Sequence, residues 1–345
     1  MYDFFERERA RSRPMVAAFV IATEGSTYRK PGALMLFNIE GERAGLLSGG
    51  CLEGDLLEHA RPLLANDARI FVKAYDSRGS DDPIWGLGLG CEGLMRIALL
   101  RLDHTNDYAP VGALLRAEYA REKAALALDL VSGESAIVTR IAETGSTTLI
   151  GIARQCLTSG GSLLRLDARR REVFAVAAER VPALLICGAG PDVEPVATFA
   201  HRLGWRVTIV DHRPAYLVAD RFETGITLRG VQAAQLASVV DLQEFDAAVV
   251  MSHHLIADGQ YLASLADSAV PYVGLLGPAA RRERLFAELG SSKADALRTR
   301  LRAPVGLDLG GRTPEAIALS IIAEIHAVHF GKSAAPFHQG TRSPV

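Results

Sequence analysis

After Pro182 the chain settles into an alternation that few architectures can accommodate. Ala183 to Cys187 is a short apolar run, Gly188-Ala189-Gly190-Pro191 breaks it, and apolar residues then recur at Val193, Val196, Ala197, Ala200 and Leu203. A buried strand, a glycine turn and an amphipathic helix thus follow one another without a linker. Gly204 stands where a helix closes on a left-handed residue, and Arg206 to Val210 reads as the next strand, ending at Asp211. The rhythm continues with strand 247–251, helix 259–266, strand 272–276 and helix 279–289. A last helix opens at Thr313-Pro314-Glu315, with Thr as cap, Pro in the first turn and an acid on the positive end of the dipole. Such alternation predicts a doubly wound parallel sheet of Rossmann-like type.

The first half obeys a different period. Short apolar runs at 15–23 and 33–38, bounded by Gly and Pro, suit strands, as do 69–75, 94–100, 125–131 and 136–141. Helices are expected from Cys51 to about Ala65 and over 110–123. The chain is therefore α/β overall: an N-terminal mixed α+β domain over 1–178, a Rossmann-like domain over 181–335, and a flexible tail over 336–345. The sequence shows no internal repeat.

Composition narrows the function. The formal net charge is -2 and no long basic run exists, which argues against nucleic acid as a partner. No apolar stretch approaches the roughly 20 residues needed to span a bilayer, and the charged N-terminus lacks a secretory signal, so no membrane partner is expected. The four cysteines are far apart with no C-x-x-C pair, which fits a reducing cytoplasm and neither a disulfide framework nor a zinc ribbon.

Three loops in the first half carry chemistry. Leu47-Ser48-Gly49-Gly50-Cys51-Leu52-Glu53-Gly54 runs from a strand into a helix, so backbone N–H groups and the helix dipole favour an anion there, and the same field favours the thiolate of Cys51. Trp85 to Gly93 places a glycine at alternate positions before Cys91 and can wrap a ligand closely. In Gly25-Ser26-Thr27-Tyr28-Arg29 the hydroxyls of Ser26 and Thr27 are donors and Arg29 is a counter-charge. Cys156 and Cys187, inside apolar stretches, read as small buried hydrophobes.

In the second half Gly188 and Gly190 supply most of a nucleotide-binding turn, with Asp211 spaced to accept from a ribose. The third glycine of the fingerprint is replaced by Val193, and Pro191 removes a donor, so the fold signal is strong and the NAD(P) signal weak. His253 and His254 end a strand at the carboxyl edge, where at most one of the two faces the crevice.

Together these segments resemble the XdhC/CoxI family, the accessory proteins of xanthine dehydrogenase and related molybdenum hydroxylases. The likeness is carried by Glu24 to Arg29 with Gly32, Ser48 to Glu53, Gly90 to Gly93, Gly188 to Gly190, Val210 to Arg213, Met251 to His253, Gly274 to Gly277, and Pro304 to Gly310 with Thr313 to Glu315 and Ala323 to Ile325. The resemblance implies a cytoplasmic protein that binds molybdenum cofactor, as molybdopterin or its dinucleotide form, and protects it. It further implies presentation to a cysteine desulfurase for sulfuration and insertion into a molybdenum hydroxylase apo-enzyme. Cofactor-binding positions are then expected at Ser26, Arg29, Gly49, Gly50, Cys51, Glu53, Cys91, Gly188, Gly190, Asp211 and His253, with Cys51 on the metal. No catalytic residue is expected, and a homo-oligomer is. Two other readings remain: an NAD(P)-dependent oxidoreductase built on the second half, and a metal-dependent hydrolase using His253, His254 and Asp258.

Overall fold

The computed structural model describes residues 1–50, 52–65, 69–78 and 93–336. It divides into two compact units, Met1–Arg180 and Val181–Val345.

The first unit runs α1 (Tyr2–Ala10), β1 (Met15–Gly25), β2 (Leu34–Asn38), β3 (Arg43–Ala44), α2 (Glu53–Ala65), β4 (Ile70–Asp76), β5 (Gly93–Leu102) and α3 (Val111–Ala120). It continues with β6 (Ala124–Asp129), β7 (Ser135–Thr139), β8 (Glu143–Thr144), α4 (Thr147–Ser159), β9 (Ser162–Leu166) and β10 (Glu172–Ala177). Two antiparallel sheets result, in the orders β3-β2-β1-β5-β4 and β8-β7-β6-β10-β9. Three strands, a helix and two strands occur twice with the same pairing, so the expectation of no repeat is corrected. The copies differ in loop length and share no obvious sequence, which hides the repeat from a reading of residues alone.

Strand alternation explains how the copies fit. Met15, Ala17, Phe19 and Ile21 of β1 face Leu126, Leu128, Phe174 and Val176 of the other sheet in one apolar layer, with the Phe19 and Phe174 rings 5.7 Å apart. Val16, Ala18 and Val20 point the other way, under Leu56, Ala60 and Leu63 of α2. Ala125, Ala127, Val173 and Ala175 likewise lie under Leu149, Ile152 and Cys156 of α4. Helix, sheet, sheet and helix stack in that order. Cys156 is fully buried, as a small hydrophobe should be.

The second unit contains β11 (Ala183–Cys187), α5 (Val193–Arg202), β12 (Arg206–Asp211), β13 (Thr227–Gly230), α6 (Leu236–Val239), β14 (Ala247–Val250) and α7 (Leu255–Ala266). Then come β15 (Tyr272–Leu275), α8 (Ala279–Leu289), α9 (Ser291–Leu297), β16 (Leu301–Arg302) and α10 (Pro314–His329). All pairings are parallel, in the order β13-β12-β11-β14-β15-β16. This is the Rossmann-like sheet that the alternation predicted, with α5 and α10 on one face and α7 on the other. The strand order reverses between β11 and β14, which opens a crevice at their carboxyl ends. No helix among the described residues is long and apolar enough to cross a membrane.

Candidate functional site

Each unit gathers its chemistry at one end of a sheet. In the first unit, register sets Thr23 beside Met95 and Met95 beside Tyr75, so the ends of β1, β5 and β4 lie in line. The Tyr75 hydroxyl donates to Asp55 Oδ2 at 2.6 Å, which ties the first turn of α2 to the same end. The glycine loop before α2 and the loop of Ser26 and Arg29 after β1 are thereby neighbours of one edge. Ser26 and Arg29 are exposed. Gly93 closes this edge, because a Cβ there would sit 2.5 Å from the Ser26 carbonyl oxygen. Cys51 and Cys91 lie outside the described residues.

Glu53 shapes the glycine loop from inside. Its Oε1 accepts from the Leu47 and Ser48 amides at 3.2 and 2.8 Å, and its Oε2 accepts from the Ser48 hydroxyl. Ser48 Oγ in turn accepts from the Leu52 amide at 3.0 Å and the Gly50 amide at 3.3 Å. Burial alone would raise the Glu53 carboxyl, but the Ser48 hydroxyl and the amides outweigh it and hold it below its ordinary range. Glu53 is therefore buried as the latch of the loop, and Gly49 and Gly50 are its open face. Apart from the adjoining residues of the loop, no described atom lies within 4 Å of where either glycine would carry a Cβ.

In the second unit Gly188 is walled in. It has φ +130°, and a Cβ there would lie 2.6 Å from the Met251 carbonyl oxygen, so glycine is required for β11 to turn beside β14. At Gly190 a Cβ would lie 2.7 Å from the Asp192 carboxylate and 3.8 Å from His253 Cδ2. Asp192 is held by His253, whose Nε2 lies 2.7 Å from Asp192 Oδ2. His253 itself sits at φ +60°, a conformation disfavoured for a side chain and frequent at functional sites. The structure thus brings Gly188, Gly190, Asp211 and His253 together at the carboxyl edge, but with an acid in the place of a diphosphate.

Asp211 is buried, and its oxygens are taken up inside the protein. Oδ2 accepts from the Ala189 amide at 2.7 Å, and Arg213 donates to Oδ1 from its amide and Nε and to Oδ2 from Nη2 at 2.8–2.9 Å. Burial raises this carboxyl, and the Arg213 bonds with the Ala189 amide more than reverse it, so its pKa is lowered. Spacing alone does not separate a carboxylate facing a ribose from one locking a turn. Arg221 holds the other side of the turn, donating to the carbonyls of Ala189 and Gly190 at 3.0 and 3.1 Å.

Sequence reasoning named Asp258 only as a candidate metal ligand and passed over its pairing with an arginine. Asp258 Oδ1 accepts from the Ser252 hydroxyl at 2.5 Å and its amide at 3.2 Å, while Oδ2 accepts from Arg281 Nη2 at 2.6 Å. His254 caps α7, its Nδ1 accepting from the Ala257 amide at 3.3 Å, so that ring nitrogen has a structural task. Among the described residues no group of three metal-ligating side chains is formed, His253, His254 and Asp258 included. The Asp-x-Arg at the end of β12 was the available signal for the first pair. Nothing in sequence spacing joins Asp258 to Arg281.

A helix-flanked sandwich with a glycine loop at one end and a parallel sheet whose glycine turn is closed by internal hydrogen bonds define a two-unit protein of Rossmann type. The comparisons make the class specific. Residues 8–76 match the model of the XdhC and CoxI family and residues 184–325 that of the XdhC Rossmann domain. The chain is 34% identical over 318 residues to a probable xanthine dehydrogenase subunit of Bacillus subtilis, covering 90% of this chain and 92% of that one. It belongs to the XdhC/CoxI family. A solved structure described as a xanthine dehydrogenase from Bacillus halodurans superposes with a TM-score of 0.76 at 28% identity, over 98% of both chains. The uncharacterized protein YqeB of Escherichia coli is 29% identical over 147 residues, 42% of this chain and 27% of that protein.

Proposed function

We propose that the protein is a xanthine dehydrogenase accessory protein that binds molybdenum cofactor, shields it, presents it for sulfuration by a cysteine desulfurase and passes it to the hydroxylase apo-enzyme. The observation that carries this reading is the glycine loop at the amino end of α2. Its latch, Ser48 with Glu53, is satisfied internally, and its outer face at Gly49 and Gly50 has room that a Cβ would fill. An oxo-metal or phosphate oxygen suits such a backbone surface at a helix amino terminus. Cys51, next in sequence after Gly50, supplies a soft ligand for the metal, and Ser26 and Arg29 supply a hydroxyl and a cation at the same sheet end. When bound, the cofactor brings the redox-active metal, while the chain contributes binding and exclusion of water. The family match over both units supports the xanthine dehydrogenase connection.

The experiment is to purify the protein from a host that makes molybdenum cofactor and to quantify oxidised pterin by fluorescence together with molybdenum by elemental analysis. About one pterin per chain is expected, falling in Cys51→Ser. A folded protein that carries no pterin and takes none up on incubation overturns the reading.

A further inference from the structure

The acid at the Gly188 turn raises the question of where the second unit could receive an anion. Two arginines answer it. Arg213 and Arg281 are each clamped by a buried carboxylate, Asp211 and Asp258, and both clamps converge on Ser252 at the end of β14. Arg213 Nη2 lies 3.5 Å from the Ser252 carbonyl oxygen, and Asp258 holds the Ser252 hydroxyl and amide. Each carboxylate also fixes backbone at a central strand end, Asp211 through the Ala189 amide and Asp258 through the Ser252 amide.

We propose that this edge of the sheet, from β12 across β14 to α8, is a seat for a phosphate or diphosphate group on Arg213 and Arg281, displaced from the glycine turn. A guanidinium has five donors in a fixed fork. The carboxylates take the Nε and Nη2 edges, and among the described residues neither Nη1 has a protein acceptor. Arg213 is further fixed by Tyr216, whose ring centroid lies 4.2 Å from its Cζ. Both side chains keep surface, 31% for Arg213 and 23% for Arg281, so they are oriented without being sealed. The Tyr261 hydroxyl, fully buried and without a hydrogen-bond partner among the described residues, lies among the same charges. Meanwhile the paired Asp192 and His253 close the Gly190 side, where a second negative group would be repelled. Asp211 and Asp258 are positioning residues in this arrangement.

The inference deepens the cofactor-holding reading by seating the phosphate-bearing end of the ligand, and its test does not depend on pterin content. Inorganic pyrophosphate and ADP are titrated calorimetrically into the full-length protein at low and high salt. Pyrophosphate binding that weakens with salt is expected. Tighter binding of ADP assigns a nucleotide tail, and equal binding assigns the phosphates alone; either supports the seat. Arg281→Gln should weaken pyrophosphate about tenfold to a hundredfold, the range for a lost charged hydrogen bond. Arg281→Lys, which keeps the charge for Asp258 but not the fork, should also weaken it. The double change Asp258→Asn with Arg281→Gln serves if the single variant does not fold. Asp192→Asn should leave affinity within about threefold, well under the tenfold that 1.4 kcal/mol represents. No binding of pyrophosphate or ADP at millimolar concentration overturns the inference. So does a result in which Asp192→Asn tightens binding strongly while the folded Arg281 variants bind like the parent. Pterin-bearing protein that fails these arms would leave the cofactor reading standing and remove only this seat.

Discussion

The two units contain the same small device and use it differently. In each, a serine in the loop before a helix is gripped by a carboxylate five or six residues later: Ser48 by Glu53 in the first, Ser252 by Asp258 in the second. Both carboxylates are buried. Glu53 is balanced by hydroxyl and amide donors, so the first loop is held by neutral groups and its polarity toward a ligand comes from backbone and helix dipole. Asp258 is balanced by the Arg281 guanidinium, so the second edge is held by full charges. The first arrangement suits close backbone approach, and the second suits recognition of charge with direction. The glycines agree: Gly188 of the second unit is pressed against backbone, whereas Gly49 and Gly50 of the first stand clear.

The strongest test of that contrast is Gly188→Ala. A strained backbone and an overlap with the Met251 carbonyl each cost roughly 1–3 kcal/mol, so about 4 kcal/mol should be lost, read as a lower denaturant midpoint. A neutral outcome would mean that the β11 turn is not walled in.

Next comes Arg213→Ala, which leaves Asp211 buried without its cation. Breaking such a pair costs about 3–5 kcal/mol, and the partial exposure of Arg213 places the expectation near 3 kcal/mol. Urea unfolding beside Asp211→Asn/Arg213→Ala should show the double variant recovering part of the loss.

Glu53→Gln should cost about 1–2 kcal/mol, since an amide cannot accept from all of the donors that the carboxylate serves. It also carries a pH signature. The Glu53 pKa is lowered on folding, so its stabilisation is fully present above the unfolded value and is lost as pH falls through the lowered one. Thermal melts of the parent should therefore fall toward acid more steeply than those of the variant. Parallel slopes would show that Glu53 titrates normally.

The smallest effect on stability is expected at the first unit's open face. Gly49→Ala meets nothing among the described residues and should stay within about 0.5 kcal/mol of the parent. Its consequence should appear in bound pterin, which a methyl group on the ligand face would reduce. A Gly49→Ala protein with undiminished pterin would remove the loop from the site.

The centre of the second unit was legible in the sequence because β11, β14 and β15 are unbroken apolar runs alternating with α5, α7 and α8, a pattern with one economical solution, whereas the edge strands β13, Thr227-Leu228-Arg229-Gly230, and β16, Leu301-Arg302, carry no such run. The first was harder. Helix α1, with Glu6, Arg7, Glu8 and Arg9 in succession, looks like a solvated terminus, yet Phe4 and Phe5 anchor it in the shared apolar layer. Helix α4 and strands β9 and β10 lie in a stretch whose serines, glycines and arginines mask the period. At the sites, residue type and spacing located Ser48 to Glu53 and Asp211 but not what those side chains face. Arg281 was invisible because its partner is 23 positions away and on another helix.

The repeated sandwich carries a consequence of its own. Two copies of one strand plan meet through a common apolar layer, so each is the other's floor, and neither half would keep a dry face if separated. The plan offers two equivalent helix entrances, before α2 and before α4. Only the first bears the run Ser48-Gly49-Gly50-Cys51; the second is entered through Gly145-Ser146, with no cysteine beside it. The plainer copy still does half of the packing, because the apolar layer that keeps the first sheet dry is built from its side chains.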